Sequence, residues 1–412
     1  MPHTAPDEIA RPDTGAEADR PPADHLVHEA FGPSLTGVQA GATIGVGINS
    51  LMFVGVAPVL LGALADEHRL TAAGIGLTAT AETLAMGLST AAMGLIRRPE
   101  RLRLIGVAGS LALATLNIAS TQAAGPALMV LRGVTGVAEG ILLWITVAMI
   151  ARTVTPERWA GAFFTTQTLA QLLLALALAL VLVPRYGANG AFASLAFLGV
   201  LGVVPALLSP TRFAPLPVRA DDTEFPPLRG WIALAATLVF VSAAGAVGVY
   251  LQPLAHQAGL GAGVARTAVW ISLAAQVVGG ALATALAGRV RYFTVFIMTS
   301  LVYLGVWWLF SQPLAAWVFI GANALAGLFG LFLGPFLVPM TIDADPSRRA
   351  AMQSGAAQLL GGALGPLLAS QVVGDRDVRG VLWMGVALLG LGFSGVAWLR
   401  FTARRPPLTA AA

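Results

Sequence analysis

Ionisable residues all but vanish from twelve long stretches of this chain, and that constrains its fold more than any other feature of the sequence. The stretches run at about 36–64, 72–96, 103–121, 125–151, 158–183, 189–209, 230–256, 265–288, 292–311, 314–341, 349–373 and 379–401. At 1.5 Å of rise per residue, each is long enough as a helix to cross ~30 Å of hydrocarbon. Of the 412 residues, 11% are charged and 57% hydrophobic, with mean hydropathy +0.78. A soluble domain averages about 25% charged residues, so this chain cannot dress a water-facing surface, and the bilayer must be its solvent for most of its length. The expected fold class is all-α integral membrane, with twelve transmembrane helices.

Residues 1–35 differ. They are rich in Pro, Ala and acids, without an apolar run, and are expected to form a disordered tail. They lack the basic region and apolar core of a cleavable signal peptide. One interior connection is long: residues 210–229, PTRFAPLPVRADDTEFPPLR, with five Pro and mixed charge. It divides the chain into a six-helix bundle at 36–209 and another at 230–401, followed by a short tail at 402–412.

Arginine sets the sidedness. Lysine is absent, so all 24 basic positions are Arg. With the N-terminus inside, sixteen Arg fall on the same side (97, 98, 101, 103, 152, 158, 212, 219, 229, 289, 291, 348, 349, 400, 404 and 405) and five on the other (69, 185, 266, 376 and 379). The positive-inside rule then places both termini and the central connection in the cytoplasm, in a multi-pass protein of a bacterial-type inner membrane. The pI near 10.3 thus reflects topology, and no nucleic-acid partner is expected.

Absences remove function classes. Without Cys there are no disulfides, thiolate metal sites, iron–sulfur clusters or cysteine nucleophiles. Without Lys there is no Walker A loop and no Schiff base. HExxH and GxSxG do not occur; the nearest to the latter, GLSTA at 87–91, ends in Ala. GVGINS at 45–50 starts like a dinucleotide loop but lies inside an apolar segment. No enzyme activity, cofactor or metal is expected.

The halves echo each other. TAETLAMGLST (80–90) lies over AAQVVGGALAT (274–284) at a shift of 194, which sets Glu82 over Gln276. Arg132 and Gly136 fall on Asn323 and Gly327 at 191, and Pro156 and Arg158 on Pro346 and Arg348 at 190. Together these matches point to an ancient six-helix duplication, with substrate held between the two bundles.

This six-plus-six layout resembles the major facilitator superfamily over nearly the whole chain after residue 35. The most specific local sign is LMVLRGVTG at 128–136 in the fourth segment. It is similar to the family's pattern of Leu, three residues, Arg, three residues, Gly: Leu128, Arg132 and Gly136 match, with Thr135 where Gln is usual. The resemblance ties Arg132 to proton-coupled transport. The signature between helices 2 and 3 keeps Gly94 and the Arg cluster at 97, 98, 101 and 103 but lacks its Asp, as does its second copy, GGALATALAGRVR at 279–291. The antiporter signature of helix 5 is absent; a fragment like it, GGALGP, stands at 361–366.

Three ionisable residues lie well inside apolar segments: Glu82, Arg132 and Glu139. Each costs ~2.5–3.5 kcal/mol on insertion scales, so each needs a reason to be there. Arg132 and Glu139 are seven apart and share one helix face, with Gly136 and Gly140 close to it. A carboxylic acid in low dielectric holds its proton more tightly, and a nearby guanidinium loosens it. A Glu that gains and loses Arg as bundles rock would bind and release a proton. The alternative is a static pair joining helices.

Asn49, Gln167, Gln171, Gln252, Gln276, Asn323, Gln353 and Gln358 offer uncharged donors and acceptors, or else bond helix to helix. In the resembling family helices 1, 4, 7 and 10 line the cavity, which favours Asn49, Gln252 and Asn323. Phe53, Trp144, Tyr250, Trp270, Phe329 and Phe336 could stack on a planar substrate or face lipid. The expected substrate site is Asn49, Phe53, Trp144, Tyr250, Gln252, Gln276 and Asn323.

The expectation is a monomeric, proton-coupled secondary transporter that moves a small organic molecule by alternating access among membrane lipids. Two buried Glu against one Arg favour export of neutral or cationic lipophilic compounds. One alternative is import of an organic anion docking on Arg132; another is a membrane receptor or enzyme without transport.

Overall fold

The structure, a computed structural model, describes residues 35–96, 99–214, 216, 225–374 and 377–402. The terminal tails expected at 1–35 and 402–412, apart from Leu35 and Thr402, and the middle of the 210–229 connection lie outside the described residues. Among the described residues the architecture is all-helical. No strand forms, and one isolated bridge joins Glu100 to Arg212.

Helix α1 spans Gly37–Asp66. It starts from a capping box in which Thr36 Oγ1 accepts from the Gln39 amide and Gln39 Oε1 accepts from the Thr36 amide. It breaks at Leu51 (φ −107°, ψ 6°). The freed Leu51 carbonyl accepts a 2.6 Å bond from the Gln171 side-chain amide, as a membrane helix break requires. Helices α2 (Ala72–Gly94), α3 (Leu102–Ser120) and α4 (Gly125–Ile150) follow. Thr71 caps α2, and α4 opens with Gly125 at φ 55° ahead of a Pro in its first turn.

The next helical run, Pro156–Leu208, has 53 residues. Straight, it would reach ~80 Å, far beyond the hydrocarbon thickness. Gly187 ends that problem: its φ 62°, ψ −155° is non-helical and open to glycine. We therefore take α5 from Pro156 through the π turn Leu178–Leu182 to Gly187, and α6 as 188–208.

Helix α7 covers 228–257 with a break at Tyr250 (φ −92°, ψ 12°). Then come α8 (Ala262–Leu286), α9 (Tyr292–Phe310), α10 (Ala316–Ala344, with a 3-10 turn at Gly334–Phe336), α11 (Arg349–Ala369) and α12 (Gly380–Phe401).

By length and apolarity, nine described runs can cross a membrane. The gap from the expected twelve has two physical sources. One of the nine is the 53-residue run that Gly187 divides. The helices α2 and α11 are long enough but carry Glu82, and Gln353 with Gln358, and are not among the nine.

One hydrophobic core gathers buried residues from Ala233 to Leu399 only. Two others form mostly from residues between Ala40 and Phe213, with Val338, Ala351 and Met352 reaching in from the second half. Within the halves α2 packs along α4 and α8 along α10; between them α2 meets α11 and α5 meets α8. The between-half contacts are glycine-mediated. A Cβ on Gly161 would strike Thr284, one on Gly280 would strike Thr165, and one on Gly87 would strike Leu360.

Candidate functional site

The site starts from a glycine contact. A Cβ on Gly136 of α4 would overlap the Glu82 carbonyl oxygen of α2, and one on Gly140 would overlap the Met86 carbonyl and Ser89 Oγ. Two glycines four apart thus let the helix backbones nearly touch, and Thr90 Oγ1 bonds the Gly140 carbonyl at 3.0 Å across the same seam. This register brings the Glu82 carboxylate to Arg132, one turn before Gly136.

The three ionisable residues singled out from sequence form one cluster, with Glu82 1%, Arg132 1% and Glu139 3% exposed. Arg132 grips Glu82 with two donors: Nε to Oε2 at 2.9 Å, and Nη2 to Oε1. Its Nη1 donates to Asn117 Oδ1 of α3 at 2.8 Å. Glu139 Oε1 is 3.9 Å from Arg132 Nη2, while Glu139 Oε2 is buried with no hydrogen-bond partner among the described residues. The Arg132 guanidinium lies 4.4 Å from the Phe53 ring centroid and 5.8 Å from that of Phe192, a cation–π enclosure. Two carboxylates therefore share one guanidinium in a site closed to water.

Sequence reasoning passed over Asn117 and Phe192. Asn117 left a signal, a lone amide inside the apolar third segment. Phe192 left none.

Other expected site residues scatter. Phe53 covers Arg132 rather than a ligand. Trp144 is fully buried in the α4 core, and its indole N–H has no partner among the described residues. Asn49 turns toward Gly202 and Ser110, Tyr250 sits at the α7 break against the second-half core, and Gln252 is exposed. Gln276 and Asn323 do line a cavity.

That cavity, of about 300 Å³, lies mostly within the second half and takes Ser272, Gln276, Tyr303, Trp307 and Asn323 into its wall. A second, of about 320 Å³, lies between the halves and is bounded by Thr83, Leu143, Phe163, Gln167 and Ser354 among others. Phe164 and Gln358 belong to both walls. The buried Glu82–Arg132–Glu139 cluster lines neither.

The pseudo-equivalent of Glu82 differs from the sequence expectation. A Cβ on Gly327, the counterpart of Gly136, would meet Ser272. The α2-to-α8 shift is then 190, in step with the other two matches, and the shift of 194 that chose Gln276 is one helical turn too long. In place of the Glu82–Arg132 pair, the second half has Ser272 and Asn323, whose Nδ2 donates to the Ala268 carbonyl at 3.0 Å.

At the end of the molecule where α4 stops and α11 starts, polar contacts tie the halves. Gln353 Nε2 donates to the Ala91 carbonyl at 3.0 Å. Arg348 Nη1 donates to the Ala151 and Thr153 carbonyls at 2.8 and 2.7 Å, capping the C-terminus of α4 where a cation suits the dipole. Arg152 Nη1 reaches Met352 Sδ at 3.2 Å. Burial, then the like charge of Arg348, pulls the Arg152 guanidinium down to about 10.

The sequence profile of the Major Facilitator Superfamily matches residues 42–370. The chain belongs to this superfamily. Solved superfamily structures share its fold: the human organic anion transporter MFSD10 (TETRAN), at TM-score 0.68 and 14% identity, covers 88% of this chain and 99% of its own. FucP in the outward conformation superposes at 0.66 and 12% identity, covering 88% and 97%. The E. coli fucose:proton symporter FucP (N162A) gives 0.67 and 12%, covering 87% and 98%. A comparison with curated protein sequences finds no match. Superfamily membership makes the protein a multi-pass membrane transporter of small molecules, not an enzyme.

Proposed function

We propose that this superfamily member is a proton-coupled secondary active transporter that carries a small organic molecule by alternating access. The observation that carries the reading is the enclosed Glu82–Arg132–Glu139 cluster. With both acids ionised it holds a net charge of −1; one proton makes it neutral, the form that a water-excluding site favours. Glu139 Oε2 has no donor to stabilise it among the described residues, and Glu82 holds the guanidinium bidentately. A shift of α2 along α4 would trade Arg132 between the two acids and so move the proton.

A structural likeness to a fucose:proton symporter supports proton coupling as chemistry this fold accommodates. Docking of an anion on Arg132 gains no support: its Nε, Nη1 and Nη2 all donate to protein, and Phe53 covers its face.

In our reading the two units are 36–209 and 230–401, the protein is a monomer surrounded by lipid, and both termini are cytoplasmic in an inner membrane. On that orientation the Gln353 and Arg348 contacts close the cytoplasmic end. The 16-to-5 Arg asymmetry makes this testable. Reporter fusions after Arg103 and within 210–229 should read cytoplasmic and one after Arg69 external; an external signal from the central connection would refute the arrangement.

A further inference from the structure

The two cavities meet at shared wall residues, and their chemistry is uniform in one respect. Among the described residues neither wall contains an Asp, Glu, Arg or His. The polar groups present are amides and hydroxyls, and several amides lack protein partners. Gln167 is 8% exposed, and its Oε1 is buried without a hydrogen bond. The lining amides of Gln276 and Gln358 make no hydrogen bond to protein among the described residues, and Asn323 spends only Nδ2, on Ala268. Of these only Gln167 is buried; Gln276, Asn323 and Gln358 are half-buried in the cavity walls, where their free amide atoms can bond a ligand.

Beside them stands an aromatic stack. Tyr303 lies parallel to Phe240 with centroids 5.6 Å apart and 13° between planes, and 5.4 Å from Trp307. Flat rings next to unpartnered amides suit a flat ligand with both a donor and an acceptor. A formal charge on that ligand would enter a wall with no countercharge and bear its desolvation uncompensated. The buried Glu82–Arg132–Glu139 cluster lines neither wall and does not supply one.

We propose that the two cavities form one bipartite site for an uncharged, flat aromatic molecule bearing an amide or similar donor–acceptor group. The polar end lies against Gln276, Asn323 and Gln358 beside the Tyr303–Trp307 rings, and the apolar end reaches past Phe164 toward Phe163 and Leu143. This rests on reading the chain as a transporter and narrows the neutral-or-cationic class to neutral cargo.

The test uses the purified full chain in detergent with three probes on one ring system: 2-naphthamide, 2-naphthoate and 2-naphthylmethylammonium. Thermal shift and tryptophan fluorescence report binding, since a bound ligand raises apparent stability by mass action. The amide should bind saturably, at least tenfold tighter than either ion. Gln276→Leu and Gln358→Leu should each weaken it about tenfold, whereas Gln252→Leu, at an exposed position, should not. The near-isosteric Gln276→Glu should turn preference toward the ammonium probe, which keeps the test decisive if a Leu variant fails to fold. Equal or tighter binding of either ion, no binding of any probe at millimolar concentration, or amide binding indifferent to the Gln276 and Gln358 replacements would overturn the proposal. No proton gradient enters the assay. Lost coupling with intact amide binding would therefore count against the proton reading alone, and intact coupling with ion-selective binding against the site alone.

Discussion

Arg132 concentrates the molecule's electrostatic risk in one side chain. It is sealed from water, and its partners lie on α2, α3 and its own helix. Removing one partner of a buried pair costs about 3–5 kcal/mol because a charge is stranded. Arg132→Ala should therefore lower stability by that order and abolish transport, read by thermal unfolding in detergent and by flux. Arg132→Lys should recover little, since a point charge cannot reproduce a planar fork that holds Glu82 bidentately and Asn117 besides. Near-wild-type stability and activity in the Ala variant would remove Arg132 from both roles. The sequence identified these three charges correctly as the exceptions inside apolar segments, and the seven-residue spacing placed Arg132 and Glu139 on one face. It could not show that Phe53 stacks on the guanidinium or that Trp144 is buried in the core, because an aromatic on an apolar helix reads the same whichever neighbour it meets.

The packing of α2 on α4 makes that pair possible, and glycines govern it. Gly136→Ala and Gly140→Ala each place a Cβ where a backbone carbonyl of α2 already lies. Helix separation must then grow, at about 1–3 kcal/mol for an overpacked contact. Gly133→Ala is the control, with open space around its Cβ position. Detergent unfolding should rank the two seam variants clearly below the control, whereas equal stability in all three would contradict the close contact. The same contact explains what sequence comparison of the halves missed. Polar and small residues recur often enough along these segments that Glu82 aligns plausibly with Gln276. Only the carbonyl of Glu82 on Gly136, mirrored by Ser272 at Gly327, selects the shift of 190 and makes Ser272 the counterpart. The breaks at Leu51 and Tyr250 were likewise silent in the sequence, since neither carries Gly or Pro at the break itself. Gln171, a candidate substrate ligand by composition, bonds the Leu51 carbonyl instead.

At the scale of the whole molecule, two halves meet along α2–α11 and α5–α8, and polar bonds join them at the end bearing Arg152, Arg348 and Gln353. The absence of native Cys makes that closure measurable, because an introduced thiol is labelled without background. Gln358→Cys, on the wall shared by both cavities, should react with an impermeant reagent from the external side. Adding Gln353→Leu and Arg348→Ala should raise labelling from the cytoplasmic side several-fold. Unchanged sidedness would mean these bonds do not hold the end shut. The all-helical membrane plan was legible because apolar length is a one-dimensional signal. The cavities were not, because their walls draw single residues from helices far apart in the chain.

Proton coupling in this transporter turns on Glu82 acting as half of the proton switch. In proteoliposomes, flux of the compound that most stabilises the purified protein should be driven by an imposed pH gradient in wild type. Glu82→Gln should retain binding and gradient-independent exchange but show no accumulation driven by the gradient, and Glu82→Asp should keep part of the coupling with a displaced pH optimum. Accumulation by Glu82→Gln that follows the gradient as wild type does would contradict the account and move the coupling role to Glu139.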